Sequence, residues 1–298
     1  MPLRILSPGL FSLPVGPPRP GRRALGIPPG GPADRASFAL GNALVGNAPD
    51  APALELTLLG PTLQAEITVG AVVFGAPFAL SRNGVPIPAN HTFTLNPGDE
   101  LRIGGTPAGC RAYLCVPGGF ALPPVPNPVA TGDVLFCAER ALPGRSIPPF
   151  DDFASPAELR VLPGPQRDWF PDDAFFTRLW TVSEASNRMG VRLVGEPIPK
   201  RAGELASEPV AAGAVQITND GRPVVLGVDG QTIGGYPKVA HVIRADLDRV
   251  GQLRPGGTVR FVLTTPEAAE ALNQVRWAEL RRWFLRLSVA SGGELKKN

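Results

Sequence analysis

The stretch Pro223–Lys238, PVVLGVDGQTIGGYPK, runs from a short apolar strand into a loop rich in glycine and hydrogen-bonding groups. Its first part, up to Val228, has the composition of a buried strand, and Asp229-Gly230 then ends the strand with a turn. Gly234-Gly235 permits a positive φ or a close approach of the backbone to a ligand, and Pro237 fixes the exit. Short strands separated by such turns predict a mainly β protein.

The rest of the chain has the same character, with 36 Pro and 35 Gly in 298 residues. Frequent turn residues favour short strands over long helices, and the strand–helix alternation of a doubly wound fold does not appear. The predicted strands are Leu3–Leu6, Thr62–Ile67, Ala71–Phe74, Thr92–Leu95, Glu100–Ile103, Arg111–Val116, Glu158–Leu162, Val191–Val194, Ala214–Ile217, Pro223–Val228 and Thr258–Leu263.

A few helices interrupt the strands. The pattern predicts one over Ala33–Val45, ended by Gly46-Asn47, and a C-terminal one from Pro266 to about Leu287. Shorter helices are predicted over Leu247–Gln252 and near Asp172–Leu179. The spacing of four apolar residues in the C-terminal helix predicts the face that packs on the protein body. These residues are Ala268, Leu272, Val275 and Ala278.

Two turn signals occur twice in the same order. Asn83-Gly-Val-Pro-Ile is followed by Leu95-Asn-Pro-Gly, and Asp220-Gly-Arg-Pro-Val is followed by Leu253-Arg-Pro-Gly. Chance recurrence of Pro-Gly turns explains this as well as a duplication does. A duplication would give two β subdomains, residues 1–145 and 158–298, joined by the Pro-rich stretch between them, with the opening loop inside the longer gap of the second copy.

Charge and composition exclude several classes of protein. The formal net charge is only +3, and no basic stripe interleaved with aromatics suggests a nucleic-acid partner. The apolar runs are too short to cross a bilayer, and the absence of a signal-peptide pattern at the start predicts a cytoplasmic location. Three cysteines without a CxxC pair and two histidines argue against a metal site. Cys110 and Cys115 are expected to be buried thiols near a strand.

The opening loop carries the candidate binding groups. Gln231, Thr232, Tyr236 and Lys238 would project from a loop held at both ends, and could bind an amide, a carboxylate or a phosphate. Composition alone allows a plain structural turn equally well.

Further candidates lie upstream of this loop. Gly190 suggests a turn that holds Arg188 at a rim, where its guanidinium could grip a carboxylate or phosphate by two prongs, although a lone arginine is more often an ordinary surface residue. Glu208 precedes a proline and therefore belongs to extended or turn backbone, and Gln216 adds an amide nearby. Arg19 lies in a basic, glycine-rich approach to the first helix, which could bind an anion.

Together these residues form a recognisable set. The chain resembles the KipA family, also described as the C-type subunit of 5-oxoprolinase, allophanate hydrolase subunit 2-like or biotin-dependent carboxyltransferase-like proteins. The resemblance runs from about Leu3 to about Val262. The matching stretches are Ser7-Pro-Gly-Leu, Arg19-Pro-Gly, Leu25-Gly-Ile-Pro, Leu44-Val-Gly-Asn, Ala53-Leu-Glu-Leu-Thr, Gly60-Pro-Thr-Leu, Cys110-Arg-Ala-Tyr-Leu, Arg160-Val-Leu-Pro-Gly-Pro-Gln, Ser186-Asn-Arg-Met-Gly, Ser207-Glu and Asp229-Gly-Gln-Thr-Ile-Gly-Gly-Tyr-Pro-Lys.

The resemblance implies a cyclophilin-like β-barrel architecture and a function in a complex. The other members would be a KipI-like protein (the B-type component of 5-oxoprolinase) and a LamB/YcsF-like protein (the A-type component). The complex would open the lactam of 5-oxoproline to glutamate with ATP hydrolysis, as an ATP-dependent hydrolase. Two alternatives are a regulatory protein that binds a KipI-like kinase inhibitor, and a biotin-dependent carboxyltransferase component acting on a urea-like amide. ATP would act at the level of the complex, and any biotin would be carried on a partner.

The resemblance also implies roles for the candidate residues. Arg188 and Lys238 would bind an anionic group, Gln216 and Gln231 the amide, and Glu208 or Asp229 would be an orienting or basic carboxylate. Thr232, Gly234, Gly235, Tyr236 and Arg19 complete the expected substrate-binding set.

The N-terminal half departs from the family pattern more than the C-terminal half. Pro14-Val-Gly-Pro-Pro-Arg19 stands where the family usually has Val-Gln-Asp-x-Gly-Arg, so that an amide and an acid are missing. Pro77 follows Gly75-Ala76 in place of an aspartate, and Asn187 replaces another. We therefore expect a partly altered cleft, with a changed substrate or reduced activity.

Overall fold

The computed structural model describes residues 2–122, 126–153 and 155–290. The chain divides into two compact units, each assembled from separate segments. The first contains the described residues of Met1–Pro17, Arg35–Asp152 and Ala278–Asn298, and the second contains those of Pro18–Asp34 and Phe153–Trp277. The predicted subdomains 1–145 and 158–298 are continuous in sequence, whereas these units are not. The described part of the chain contains no helix that is both long and apolar enough to span a membrane.

The described part of the first unit contains two antiparallel sheets, one whole helix and the end of the C-terminal helix. Its strands are β1 (Pro2–Ser7), β2 (Phe11–Val15), β3 (Ala53–Thr57), β4 (Thr62–Ala65), β5 (Val69–Gly75), β6 (Leu80–Arg82), β7 (Val85–Ile87), β8 (Phe93–Leu95), β9 (Glu100–Ile103), β10 (Arg111–Cys115) and β11 (Val134–Phe136). One sheet has the order β11-β1-β4-β9-β6-β7 and the other β2-β3-β10-β5-β8. Helix α1 (Arg35–Leu44) packs on the second sheet, so that Leu40, Phe74 and Tyr113 share one apolar core.

The second unit contains a closed seven-stranded barrel. The strands of this unit, inside and outside the barrel, are β12 (Ala157–Pro163), β13 (Trp180–Val182), β14 (Gly190–Val194), β15 (Glu208–Pro209), β16 (Ala214–Ile217), β17 (Pro223–Leu226), β18 (Ile233–Gly234), β19 (Lys238–Val242) and β20 (Thr258–Leu263). The barrel order is β12-β19-β16-β17-β14-β13-β20, while β15 and β18 form a separate two-stranded ribbon. The mainly β fold with barrel architecture is therefore confirmed. Trp180, Phe175 and Phe261 are among the large side chains that fill the barrel core.

The four predicted helices are present: one has the predicted bounds, two are shorter, and the C-terminal one begins as predicted and extends further. Besides α1, the structure contains α2 (Ala174–Thr177), α3 (Leu247–Gln252) and α4 (Pro266–Ala290). The C-cap signal of the first helix is confirmed, because Gly46 has a φ of 81°.

The predicted buried face of α4 is wrong. Val275 is 65% exposed, and Ala268 and Ala278 are exposed as well. The buried residues are instead Leu280 and Leu287, which belong to the core of the first unit. Because Leu280 and Leu287 lie seven positions apart, they share one side of the helix. Both follow the segment from Ala268 to Ala278, from which the buried face was predicted.

The paired turn signals have matching local geometry. Gly84 and Gly221, with φ of 79° and 76°, turn the hairpins β6–β7 and β16–β17, and Gly98 and Gly256 have φ of 90° and 76°. The sheet neighbours differ, however, since β9 pairs with β6 whereas β20 pairs with β12 and β13. The turns are thus alike in backbone conformation and unlike in sheet context.

Candidate functional site

The loop that follows β17 folds back as a narrow ribbon beside the barrel strands of the second unit. In β15 and β18, Glu208 pairs with Gly234 and Pro209 with Ile233. The N–H of Val210 donates to the carbonyl of Thr232 at 3.0 Å, which extends the ribbon by one residue. Of the extended or turn backbone predicted for Glu208, the structure shows the extended form.

The glycines of this loop are needed for close approach and not for a positive φ. Gly227, Gly230 and Gly234 all lie outside the left-handed region. A Cβ on Gly227 would collide with the carbonyl oxygen of Arg188, and one on Gly230 would lie 2.9 Å from the carbonyl oxygen of Met189. Of the two alternatives that the sequence left open for Gly234-Gly235, a positive φ or a close approach of the backbone to a ligand, neither residue adopts the first.

Lys238 and Glu208 form an ion pair at the base of the ribbon. The ammonium of Lys238, which is buried, contacts the Glu208 carboxylate, which is partly exposed. Lys238 Nζ also lies 3.4 Å from the carbonyl oxygen of Tyr236. The hydrogen bond from Lys238, followed by one from Gln166, holds the pKa of Glu208 below its usual range. Glu208 is therefore a carboxylate at neutral pH.

Two carboxamides meet at Gly234. Gln216 lies on β16 as the cross-strand partner of Lys238, is only 2% exposed, and its Oε1 lies 3.4 Å from Gln231 Nε2. Among the described residues, Gln216 Nε2 has no hydrogen-bond partner. A Cβ on Gly234 would lie 2.6 Å from Gln231 Nε2 and 2.7 Å from Gln216 Nε2. Both amide nitrogens therefore pack directly on the bare Cα of Gly234.

A buried amide nitrogen without an acceptor is costly, at about 1–3 kcal/mol. Native proteins satisfy the great majority of such groups with protein, water or a ligand. Gln216 Nε2, which lies against Gly234 of the loop, thus marks the place where an oxygen atom of a ligand or of water would be stabilised.

Arg188 and Asp229 form a second ion pair, at the start of the loop. Arg188 Nε and Nη2 donate to the two Asp229 carboxylate oxygens at 2.6 and 3.1 Å, and Nη2 also donates to the carbonyl of Gly31 at 2.7 Å. The guanidinium thus makes a two-pronged contact with a carboxylate of its own chain. The expected position at a rim is wrong, since Arg188 is buried and the segment before the first helix contacts it.

The remaining candidates lie around these pairs. Thr232 is buried within the ribbon, and Tyr236 is exposed between Gly235 and Pro237. Arg19 is exposed, and its backbone N–H donates to the carbonyl of Pro29 at 2.8 Å. Near it in sequence, Arg23 reaches the carbonyl of Val210 beside the ribbon.

Gln166 is a site residue that sequence reasoning did not single out. Its carboxamide contacts both Glu208 and the backbone of Lys238. Its sequence signal is its place at the end of Pro163-Gly-Pro-Gln, a stretch that carries the family resemblance but suggests no role.

Cysteine and acidic side chains elsewhere add no metal-like cluster. Within the described ranges, no group of three or more His, Cys, Asp or Glu residues could hold a metal ion. Cys110 and Cys115 are buried thiols, as expected, and burial raises the pKa of the Cys115 thiol.

Solved structures share this fold. The urea amidolyase of Kluyveromyces lactis superimposes with a TM-score of 0.83 at 30% identity, covering 95% of this chain and 20% of that one. The urea carboxylase of the same yeast gives a TM-score of 0.84 at 28% identity, covering 95% of this chain and 29% of that one.

Sequence relatives fall into two groups by length. The 5-oxoprolinase C-type subunit of Haemophilus influenzae is 33% identical over 88% of this chain and 92% of its own length, and that of Escherichia coli is 32% identical over 95% and 98%. The urea amidolyase of Lachancea kluyveri is 34% identical over 91% of this chain, which spans only 17% of that protein.

The family match covers most of the chain. The sequence pattern of the carboxyltransferase domain, subdomain A and B, matches residues 25–263 and so includes every site residue described above except Arg19 and Arg23. The chain therefore belongs to the carboxyltransferase domain family, subdomain A and B, and is a homologue of the C-type subunit of 5-oxoprolinase.

Proposed function

We propose that this chain is the C-type subunit of an ATP-dependent complex that opens the lactam of 5-oxoproline to glutamate. The length relationship supports this choice, because the chain matches two 5-oxoprolinase C-type subunits over 92% and 98% of their lengths. The partners would be a KipI-like B-type component and a LamB/YcsF-like A-type component, and the complex would be cytoplasmic.

The unpartnered Nε2 of buried Gln216 is the observation that carries the proposal. A lactam carbonyl oxygen can accept hydrogen bonds from two donors, and the carboxamide nitrogens of Gln216 and Gln231 both lie at the missing Cβ of Gly234. Such donors would recognise an amide and would stabilise the charge that develops on its oxygen.

The Lys238–Glu208 and Arg188–Asp229 ion pairs would have different roles. Lys238 would place a positive charge beside the substrate oxygen, and Glu208, already a carboxylate, would accept a proton from the attacking water. Arg188 and Asp229 are paired with each other, so they would hold the loop in shape and contribute to binding through its geometry. Thr232, Gly235, Tyr236 and Arg19 would complete the walls of the site.

The partner proteins would bind ATP. Activation of an amide by phosphorylation of its oxygen makes the carbon susceptible to water, and ATP supplies that phosphoryl group. This sequence contains no GxxxxGK[ST] phosphate-binding loop. In the site, Arg188 and Lys238 are each paired with a carboxylate, whereas the carboxamide nitrogens of Gln216 and Gln231 lie together at Gly234, so the residues of this chain fit the amide better than the nucleotide. We therefore assign ATP to the assembled complex.

Reconstitution tests the proposal. The chain would be combined with its candidate A-type and B-type partners, and glutamate formation from 5-oxoproline and ATP would be measured. We expect activity only with all three proteins, and a loss of at least about 100-fold on Lys238→Met or Glu208→Gln. Equal activity without this chain, or full activity of both variants, would refute the assignment.

Departures from the family pattern make a substrate panel useful. Because Pro14–Arg19 and Pro77 differ from the usual residues, the same assay would include other small lactams. A preference for another lactam would keep the reaction class and change the substrate.

Carboxyl transfer from biotin to a urea-like amide is a second candidate. It is favoured by the family match over residues 25–263, which is to a carboxyltransferase domain. Such a reaction would also require amide recognition by Gln216 and Gln231. Transfer of labelled carboxylate from a biotin-bearing partner to urea, with no glutamate formed from 5-oxoproline, would select this alternative.

A further inference from the structure

Gln166 connects Glu208 and Lys238, the ion pair at the base of the ribbon. Its Nε2 donates to Glu208 Oε1 at 3.0 Å, while its Oε1 accepts from the backbone N–H of Lys238 at 3.1 Å. Gln166 is buried, and its hydrogen bond with the Lys238 N–H lies out of contact with water. The Gln166 side chain therefore holds the Glu208 carboxylate in place relative to the backbone of Lys238.

The fold places Gln166 through the end of β12. Leu162 and Pro163 pair with His241 and Ala240 on β19, and Gly164 N–H then donates to the carbonyl of Val239 at 3.0 Å. A Cβ on Gly164 would collide with the carbonyl oxygen of Lys238. A glycine is therefore required there, because only a bare Cα lets the chain cross β19 closely enough for Gln166 to reach Lys238.

We propose that Gln166 is a positioning residue that orients the Glu208 carboxylate against the Lys238 ammonium. This inference rests on the proposed function of the same site, but the geometry behind it does not depend on the substrate. Gln166 and Lys238 both contact Oε1 of Glu208, so that the carboxamide and the ammonium converge on the same carboxylate oxygen. Gln166 acts through Glu208 and Lys238 and does not itself contact the reacting atoms.

The charge state of Glu208 provides a direct readout. The hydrogen bond from Gln166 is the second contribution, after that from Lys238, that holds the pKa of Glu208 below its usual range. Removing the donor should therefore raise this pKa, and a residue that only fills space would leave it unchanged.

Two substitutions separate the two hydrogen bonds. Gln166→Met has a similar length and removes both. Gln166→Glu keeps an acceptor for the Lys238 N–H and replaces the donor to Glu208 by a second carboxyl group, whose charge itself raises the Glu208 pKa. Gln274→Met is the matched control, because Gln274 is an exposed glutamine that donates to Glu270 at 3.2 Å on α4.

The first measurements use the chain alone. NMR titration of the Glu208 side-chain carbon should show a raised pKa in Gln166→Met and no change in Gln274→Met. Hydrogen exchange at the Lys238 N–H should be faster in Gln166→Met and remain slow in Gln166→Glu. An unchanged Glu208 titration in a folded Gln166→Met protein would overturn the inference. If Gln166→Met does not fold, an unchanged Glu208 titration in Gln166→Leu, which lacks the donor and adds no charge, would overturn it instead.

The second measurement uses the reconstituted complex. We expect kcat to fall about tenfold or more in both Gln166 variants, with little change in KM, because a hydrogen bond to a charged group is lost. A wild-type complex without lactam or carboxyl-transfer activity would refute the proposed function, while the titration would still decide the role of Gln166. An active complex with unchanged kcat in both Gln166 variants would refute only the positioning role.

Discussion

At the scale of single residues, the site depends on the absence of a side chain at Gly234 as much as on the side chains around it. The two carboxamide nitrogens of Gln216 and Gln231 occupy the space that a Cβ on Gly234 would fill. The sequence predicts that this glycine matters but cannot tell a backbone-conformation requirement from a packing requirement. The structure shows that packing is the reason.

Gly234→Ala should therefore impair the site without unfolding the protein. The added methyl would displace both carboxamide nitrogens, which lie only 2.6 and 2.7 Å from its position. We expect the affinity for the small amide, measured by calorimetry on the reconstituted complex, to fall at least about tenfold.

Gly144→Ala is the control for this substitution, because a Cβ there would meet no atom within 4 Å. Its affinity and melting temperature should match those of the wild type. Wild-type affinity in Gly234→Ala would contradict the packing argument.

Glu208 should give the protein a measurable pH dependence. Its folded-state pKa is lowered from the ordinary value of 4.5, chiefly by the hydrogen bond from Lys238. A carboxyl group with a depressed folded pKa stabilises the native state above its unfolded pKa. That contribution is lost as the pH falls through the lower, folded value.

The melting temperature of the wild type should therefore fall more steeply below about pH 4.5 than that of Glu208→Gln. Because Glu208 is partly exposed, solvent screening makes the difference small. Calorimetric scans of both proteins between about pH 3 and 7 would measure it. Parallel curves would show that the ion pair does not contribute.

At the scale of elements, local signals predict the helices better than the surfaces they bury. Helix α3 has the predicted bounds, Leu247–Gln252, whereas the predicted face of α4 is exposed. The spacing of apolar residues shows which of them share one side of a helix. Which side is buried depends on the element that packs against the helix. Some strands outside the sequence prediction, such as β15 and β18, have only two residues and so carry almost no periodic signal.

A pair of truncations on α4 tests the corrected face. Leu280 is 6% exposed and Val275 is 65% exposed on the same helix. Leu280→Ala should lower the free energy of unfolding by about 2–3 kcal/mol, because it leaves a cavity in the core. Val275→Ala should change it by less than about 0.5 kcal/mol. Urea denaturation of both variants gives the comparison, and equal losses would argue against the observed packing.

At the scale of the whole molecule, the cysteines report on the integrity of the first unit. Cys110 and Cys115 are buried at the two ends of the β10 region, and burial raises the pKa of the Cys115 thiol. Cys137 is less buried, and its pKa is raised to about 11. The native protein should therefore react slowly with thiol reagents.

Thiol titration with a chromogenic disulfide at about pH 8 would measure this protection. We expect Cys110 and Cys115 to be protected in the native state and to react together when the first unit unfolds, because both belong to the same sheet region. Cys115→Ala should remove one equivalent from that step. Rapid reaction of Cys115 in the folded protein would contradict its burial.

The sequence by itself determined features that depend on a few neighbouring residues. Turn glycines such as Gly84 and Gly221, the short strands between them and the bounds of α3 follow from local conformational preferences. Only the tertiary structure decided which side chains meet. Gln166 contacts Glu208 and Lys238 from far along the chain because strand register and the bare Cα of Gly164 bring them together. Local preferences carry no information about such long-range neighbours, and the chemistry of the candidate site depends on them.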